Sequence, residues 1–252
     1  MKIAAPAAAA AALCLFAAWH AAAEPGLGSK VYDPYVRNGV SEVEARTASL
    51  TGGASNGDTT SVVEIEKGVS DALSLALLGE FEKHPGERAK LDSLGLEGVV
   101  YLGRVPRLGI DTAVYVEYEQ RLHNESGVGE AKLLFARRLG SFQALLNLIA
   151  EHPFTNRPGE NLTAFGYAAS GTWEVRPGLQ AGVEGFGDLG TSRRLGGRNP
   201  HYIGPTVLWE TRPDWMHGGE LELQAGYLFA AGAARGYTDG QARLNIEFER
   251  RF

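Results

Sequence analysis

Acidic side chains at every second position are the feature of this sequence with the clearest chemical potential. Glu42 and Glu44 are separated by one apolar residue, and Glu64 and Glu66 repeat the arrangement. In a β-strand this two-residue period places the acids on one face and the apolar residues on the other. Acids outnumber bases on this polar face, so a space enclosed by it would attract cations and repel anions. The predicted polar face consists of Glu42, Glu44, Arg46, Glu64, Glu66, Glu80, Glu82, Glu97, Glu117, Glu119, Arg121, Glu130, Lys132, Arg138, Glu184, Glu220, Glu222, Arg243, Glu247 and Glu249.

The sequence gives weaker evidence for a catalytic site or a metal-binding site than for this acidic face. His123 and Ser126 are close enough in sequence to be considered as base and nucleophile. Such a pair needs mutual hydrogen-bond contact and a third group that orients the base, and both residues fall in a predicted loop. The other histidines lack the His-x-His or His-x-x-x-His spacing that would suggest a metal site. We predict no catalytic residue, no metal and no cofactor, with an esterase or lipase based on Ser126 as the least favoured alternative.

The elements that carry these residues are predicted to be strands. The two-residue period recurs in twelve segments, beginning with residues 40–50 and 59–68 and ending with residues 241–252. Each segment is about 9 to 13 residues long, enough for a tilted strand to cross a bilayer. The run Leu-Leu-Asn-Leu-Ile at 145–149 also fits a helix in isolation, but the even spacing of its neighbours favours a strand.

The connections between the segments favour a membrane barrel over a soluble β-sandwich. Connections after even-numbered strands are short and those after odd-numbered strands are longer and polar, with residues 211–219 as the exception. Short turns at one end and long loops at the other are typical of transmembrane barrels. We therefore predict an all-β fold, an antiparallel up-and-down transmembrane β-barrel of about twelve strands over residues 40–252. Apolar side chains would face lipid, and the acidic face would line the lumen.

The N-terminus has the features of a secretory signal peptide over residues 1–23. Lys2 precedes an apolar stretch that ends in the small-residue site Ala21-Ala22-Ala23. Cys14, the only cysteine, lies inside this segment, so we expect no disulfide in the mature chain. Residues 24–39 are expected to be a periplasmic lead-in to the first strand. Loss of Lys2 lowers the bases from 24 to 23 against 30 acids, which argues against a nucleic-acid partner.

Several stretches carry a resemblance to known proteins. They are residues 31–36 with 42–46, residues 187–190, residues 201–205, and residues 226–229 ahead of a terminal Phe252. In these stretches the chain resembles an uncharacterised family of proteobacterial outer-membrane β-barrel proteins, described as hypothetical transporters. The resemblance implies a location and a fold rather than a substrate. Phe252 also resembles the signal by which the outer-membrane assembly machinery recognises its clients, although Arg250 departs from the usual apolar residue.

The predicted function follows from the fold and the acidic lumen. We expect a protein of the outer membrane of a Gram-negative bacterium, reached after Sec-type signal cleavage. There it would contact outer-membrane lipid and act as a passive channel for small polar or cationic solutes. The alternative is a closed barrel with a structural or partner-binding role, its interior bridged by pairs of arginine and glutamate. The loops are too short to fold inward as a large plug, which favours the channel.

Overall fold

The computed structural model describes residues 27–122, 126–155, 157 and 161–251, so the predicted signal peptide and Phe252 lie outside the described residues. Strands dominate the described chain. They are β1 (Val40–Thr51), β2 (Thr59–Gly68), β3 (Leu73–Lys83), β4 (Lys90–Val105), β5 (Ile110–Arg121), β6 (Val128–Leu139), β7 (Phe142–Pro153), β8 (Ala164–Arg176), β9 (Leu179–Thr191), β10 (Arg194–Leu195), β11 (Pro200–Thr211), β12 (Glu220–Gly232) and β13 (Gly240–Arg251). Two 3-10 turns, Asp214–Met216 and Ala234–Gly236, accompany them. No helix within these ranges is long and apolar enough to cross a bilayer.

The strands form one antiparallel sheet that closes on itself. β1 pairs with β2 on one side and with β13 on the other, and the other long strands pair with their neighbours in chain order. β10 is a two-residue arm paired with β9, so twelve long strands form the wall. Closure leaves no free edge, because each long strand is bonded to two neighbours. The predicted twelve-stranded up-and-down barrel is confirmed, including a strand across residues 145–149.

The outer face of the barrel is apolar at mid-height. Val43 lies opposite Ile65, Ile65 opposite Leu77, and Leu77 opposite Leu96 in the strand register. All four side chains are exposed, and Leu77 keeps 66% of its surface accessible. The residues between them point into the barrel and are buried or half-buried. The strands therefore bury their polar side chains and expose their apolar ones, the reverse of a water-soluble sheet.

The two ends of the barrel differ in the length of their connections. The end that carries Val40 and Arg251, here called the turn end, has the connections 69–72, 106–109, 140–141, 177–178 and 212–219. The opposite end, here called the loop end, has the connections 52–58, 84–89, 122–127, 154–163, 192–199 and 233–239. The long 212–219 connection, the exception in the sequence pattern, contains the 3-10 turn Asp214–Met216.

Residues 28–38, the part of the predicted 24–39 lead-in to which that name is restricted below, run through the inside of the barrel. Leu27 packs against buried residues of the loop end, among them Leu50 and Leu228. At the turn end the Arg37 guanidinium pairs with Glu249, and the Gly39 amide donates to the Gly68 carbonyl at 2.9 Å. The lead-in thus spans the lumen from the loop end to the turn end before β1 begins.

Inward-facing side chains hold the backbone of the lead-in. The Tyr32 amide donates to Asn147 Oδ1 at 2.8 Å, and Asn147 Nδ2 donates back to the Tyr32 carbonyl at 2.8 Å. The Arg46 and Arg243 guanidinium groups donate to the carbonyls of Gly28 and Ser29. The sequence pattern predicts residues 24–39 outside the barrel, in the periplasm. Residues 28–38 lie inside because their backbone and their cations find partners on the polar inner face.

Candidate functional site

The strand register arranges the inward glutamates in a long row. Each member lies directly opposite the next across a strand pair, and only β3 interrupts the row, with Ala76 between Glu66 and Glu97. The long glutamate row consists of Glu220, Glu249, Glu42, Glu66, Glu97, Glu117, Glu130 and Glu151, on β12, β13, β1, β2, β4, β5, β6 and β7.

A short glutamate row runs beside the long one. It consists of Glu210, Glu222, Glu247, Glu44 and Glu64, on β11, β12, β13, β1 and β2. Like charges directly opposite one another destabilise a sheet. Two adjacent rows of acids therefore require cations or protons inside the barrel, and the lead-in supplies two of the cations, Lys30 and Arg37.

Lys30 enters the centre of the acidic surface. Its ammonium contacts Glu44 and lies 3.4 Å from Glu64 Oε1 and 3.8 Å from Glu42 Oε1. Arg46 Nη1 is 2.6 Å from Glu64 Oε2 and 3.3 Å from Glu44 Oε2. The Glu44 and Glu64 side chains are each 1% exposed, so the group is shielded from bulk water. Taking buried charges out of water is costly unless they are paired, which ties Lys30 and Arg46 to this position.

Lys30, Arg46, Glu42, Glu44 and Glu64 are together called the Lys30 cluster. An aromatic group lies next to it. The Tyr32 and Tyr115 rings are 4.7 Å apart, and Lys132 Nζ lies 4.3 and 4.1 Å from their centres. The Tyr115 hydroxyl donates to Glu97 Oε2 at 2.8 Å, and the Tyr32 hydroxyl donates to the same oxygen at 3.3 Å. This group narrows the lumen, because the Tyr32 ring of the lead-in packs inside the barrel against the Tyr115 ring of the wall.

The other residues of the predicted polar face lie in smaller groups. Lys132 pairs with Glu130 at 2.7 Å, Arg121 with Glu119 at 3.4 Å and Arg243 with Glu184 at 3.7 Å. Glu80 and Glu82 meet Asp92 at the loop end, with their oxygens within 4.8 Å. Arg138 is exposed at the turn end and donates to Gln143 at 2.8 Å. The polar face is therefore a lining with local pairs rather than one compact centre.

Carboxylate oxygens come close enough to one another to coordinate a hard cation in several places. Glu42, Glu44 and Glu64 form one such group, and Glu64 also belongs to a second with Glu66 and Glu97. Oxygen ligands of this kind suit Ca²⁺ or Mg²⁺. The first group already contains the Lys30 ammonium. The absence of a metal site remains a prediction from the sequence.

Small polar cavities lie within the described part of the barrel. One lies beside Lys30 and Arg46, is also lined by Glu184, Gln224 and Arg243, and has room for about one water molecule. Another lies at the turn end and is lined by Arg138, Ser141, Gln143, Glu174, Gly178, Gln180 and Glu210. Both are bordered mainly by polar side chains, so they can hold water.

At the loop end, His84 Nδ1 lies 2.9 Å from Asp58 Oδ1 in an exposed pair. The hydrogen bond to this carboxylate raises the pKa of His84 above its usual value of 6.5. Of the pair considered for ester hydrolysis, His123 lies outside the described residues, and Ser126 precedes β6. The structure therefore gives no pair geometry on which a hydrolase could be argued.

The residues that fill the lumen are not among those predicted from the sequence. Lys30, Tyr32 and Arg37 lie in the segment expected to be outside the barrel, and Asn147 lies in the predicted strand at 145–149 with no role predicted for it. The aromatic and charged residues at 30–37 were a signal, because such a segment is unlike a plain spacer. Their position in the lumen depends on contacts with strands more than 100 residues away, such as the separation of 115 between Tyr32 and Asn147.

No protein-family model matches this sequence, and no curated protein matches it. Solved structures do match in fold. A COG4313 outer membrane channel from Pseudomonas putida F1 superimposes with a TM-score of 0.62 at 15% identity, covering 89% of this chain and 100% of that one. The KdgM porin gives a TM-score of 0.53 at 10% identity, covering 84% and 99%. The NanC porin gives 0.54 at 6% identity, covering 83% and 100%.

This chain has the fold of an outer-membrane β-barrel. At these identities the similarity concerns the fold alone. Each match covers nearly all of the other chain, so the likeness extends over the whole barrel rather than one group of strands.

Proposed function

We propose that this protein is an outer-membrane channel that passes small polar or cationic solutes through an acidic lumen. The observation that carries the proposal is the pair of glutamate rows on the inner face of a closed barrel. A ring or row of carboxylates raises the local concentration of cations and excludes anions.

The membrane location is supported by the outer face. Val43, Ile65, Leu77 and Leu96 form a continuous exposed apolar strip across β1 to β4. In water an apolar surface of this extent would be an aggregation site, whereas in lipid it is stabilising. The COG4313 protein is described as an outer membrane channel, and KdgM and NanC as porins.

A second candidate, a closed barrel with a structural or partner-binding role, is favoured by the content of the lumen. The lead-in spans the barrel, and Lys30 and Arg46 bridge the central acids. The acids nevertheless outnumber the bases on the inner face, and polar cavities large enough for water remain beside Lys30 and at the turn end. We therefore propose a narrow channel, in which the lead-in limits the flow, ahead of a sealed barrel.

Planar-bilayer recording tests the proposal. The refolded protein should give discrete conductance steps and a reversal potential that favours K⁺ over Cl⁻ in a salt gradient. The double variant Glu66→Gln, Glu117→Gln removes two charges of the long row, and we expect the permeability ratio to fall about twofold. Glu87→Gln, an exposed loop acid paired with Lys90, is the control and should leave the ratio unchanged.

The outcomes separate the candidates. No conductance steps from correctly folded protein would favour the sealed barrel. Steps with selectivity for Cl⁻ would contradict the acidic lumen. An equal effect of Glu87→Gln and the double variant would mean that selectivity arises at the mouth and not in the glutamate rows.

A further inference from the structure

The Lys30 cluster has the composition of a ligand site whose occupant comes from the same chain. Glu42, Glu44 and Glu64 belong to the barrel wall, whereas Lys30 belongs to the lead-in, which has no strand pairing of its own. The lysine is thus attached to a segment that side chains of the wall hold by its backbone. Its ammonium lies among the three carboxylates of the wall.

The wall alone leaves this position negatively charged. Three carboxylates face one guanidinium, that of Arg46, so the group carries a formal charge of −2 without Lys30 and −1 with it. Glu44 Oε1 is buried, in a side chain that is only 1% exposed, and it has no hydrogen-bond partner among the described residues. An unpaired buried carboxylate oxygen is costly, so the site has capacity for a further donor.

The surroundings favour an organic ammonium over a bare metal ion. The centre of the Tyr32 ring lies 4.7 Å from Lys30 Nζ, within the range of a cation–π contact. An ammonium group offers three donors, matching three carboxylates. The Lys30 side chain is itself a four-carbon chain that ends in an ammonium group, so its departure would free space for a ligand of that shape.

The short glutamate row extends the site in one direction. Glu247 lies directly opposite Glu44, and Glu222 lies directly opposite Glu247. A second ammonium group a few ångströms from the first would therefore meet further carboxylates. This arrangement suits a short aliphatic diamine better than a monoamine.

We propose that Glu42, Glu44 and Glu64 form a binding site for an alkyl ammonium group, that short aliphatic diamines are its ligands, and that Lys30 occupies it as an internal competitor. The proposal rests on the proposed channel function and names the solute class for it. The solute binds only when the Lys30 ammonium leaves. Asn147, Arg46 and Arg243 continue to hold the lead-in backbone, so the exchange needs movement of one side chain rather than release of the whole segment.

The test compares one folded protein with and without the competing charge. Lys30→Cys is made in a Cys14→Ser background, which leaves a single cysteine, since Cys14 is the only one in the chain. The unfolded protein is modified with aminoethyl or with ethyl methanethiosulfonate and then refolded in detergent. The first reagent restores an ammonium group, and the second adds a neutral side chain of similar size.

Isothermal titration calorimetry then measures the binding of 1,4-diaminobutane, with 1,4-butanediol as the neutral control. We expect the ethyl form to bind the diamine at least about tenfold more tightly than the aminoethyl form and the unmodified wild type. Adding Glu44→Gln to the ethyl form should abolish the gain, whereas adding Glu87→Gln should not. Lys30→Gln, whose amide still donates to the carboxylates, provides the same comparison should the modified proteins refold poorly.

Equal affinities in the ethyl and aminoethyl forms, or a gain that survives Glu44→Gln, would overturn the proposal. Binding of butanediol as tight as that of the diamine would do the same. Calorimetry needs no conductance, so the two proposals fail separately. Diamine binding without conductance steps would count against the channel alone, and cation-selective steps without diamine binding would count against the ammonium site alone.

Discussion

Asn147 is one of the residues through which the barrel wall holds the lead-in, and it contacts both backbone groups of Tyr32. Its amide accepts from the Tyr32 N–H and donates to the Tyr32 carbonyl, as a neighbouring strand would do. Asn147 is fully buried, and Tyr32 is nearly so. A single side chain therefore replaces a strand pairing at the middle of the lumen.

Replacing this amide with a hydrocarbon of similar size should loosen the lead-in. Asn147→Leu leaves both Tyr32 backbone groups buried without partners, which costs about 1–3 kcal/mol for each group. We expect hydrogen exchange at the Tyr32 amide to accelerate at least about tenfold.

Gln143→Leu is the matched control, because it removes an inward amide from the same strand, at the turn end, where it contacts Arg138. It should leave exchange at Tyr32 unchanged. Unchanged exchange in Asn147→Leu as well would mean that the arginines and the carboxylates hold the lead-in without help from Asn147.

At the scale of elements, the approach of β11 to β12 depends on a glycine. A Cβ atom at Gly204 would lie 2.1 Å from the Tyr227 carbonyl oxygen and 2.9 Å from the Leu228 Cα. Both are backbone atoms, so no rotamer change can relieve the contact. Pro205 follows, and its missing N–H removes one bond from the ladder at the same place. The strands are therefore held close here by the absence of a side chain.

Gly204→Ala should destabilise the folded barrel by about 1–3 kcal/mol, because the two backbones must separate. Reversible unfolding in urea, followed by tryptophan fluorescence in lipid vesicles, measures the loss. Gly236→Ala is the control, since a Cβ there would meet no atom within 4 Å. Equal stability of the two variants would show that the pair of strands yields without cost.

The glutamate rows also depend on how the strands pair. Glu44 lies opposite Glu64 and Glu247 only because β1 pairs with β2 and with β13 in this register. A shift of one residue in either pair would turn every acid of the shifted strand outward. The register keeps the apolar side chains on the outer face, and it also sets the density of charge on the inner face.

At the scale of the whole molecule, the apolar outer face makes a prediction that separates lipid from water. Leu77 is 66% exposed in the middle of β3, and Leu195 is 68% exposed in β10, beyond the wall at the loop end. In water, replacing either exposed leucine with arginine would have a small effect. In a bilayer the two positions differ, because only the first lies at the depth of the hydrocarbon.

Leu77→Arg should therefore lower the free energy of unfolding in vesicles by about 2–4 kcal/mol, and Leu195→Arg by about 0–1 kcal/mol. Unfolding in guanidinium with phospholipid vesicles present measures both. Equal, small effects would contradict the membrane location and with it the proposed channel.

Local pattern was enough to predict much of this protein. The alternation of Glu42, Val43, Glu44 and Ala45 is a property of four neighbouring residues, and a strand converts it directly into an acidic face and an apolar face. The number of strands and the two kinds of connection follow from the same pattern repeated along the chain. Closure into a barrel also follows from this pattern. A sheet with one apolar face and one polar face encloses its polar face only when it curves until its first and last strands pair.

Tertiary structure alone decided what the lumen contains. Alternation gives the face on which Glu44 lies, but its neighbours Glu64 and Glu247 depend on pairing between strands far apart in sequence. The position of Lys30 among the acids of β1 and β2 depends on the pairing of these two strands and on the path of the lead-in, neither of which is encoded by residues next to Lys30. A two-residue period is local and can be recognised along the chain, whereas register and the filling of an enclosed space are set by long-range contacts that form only when the cylinder closes.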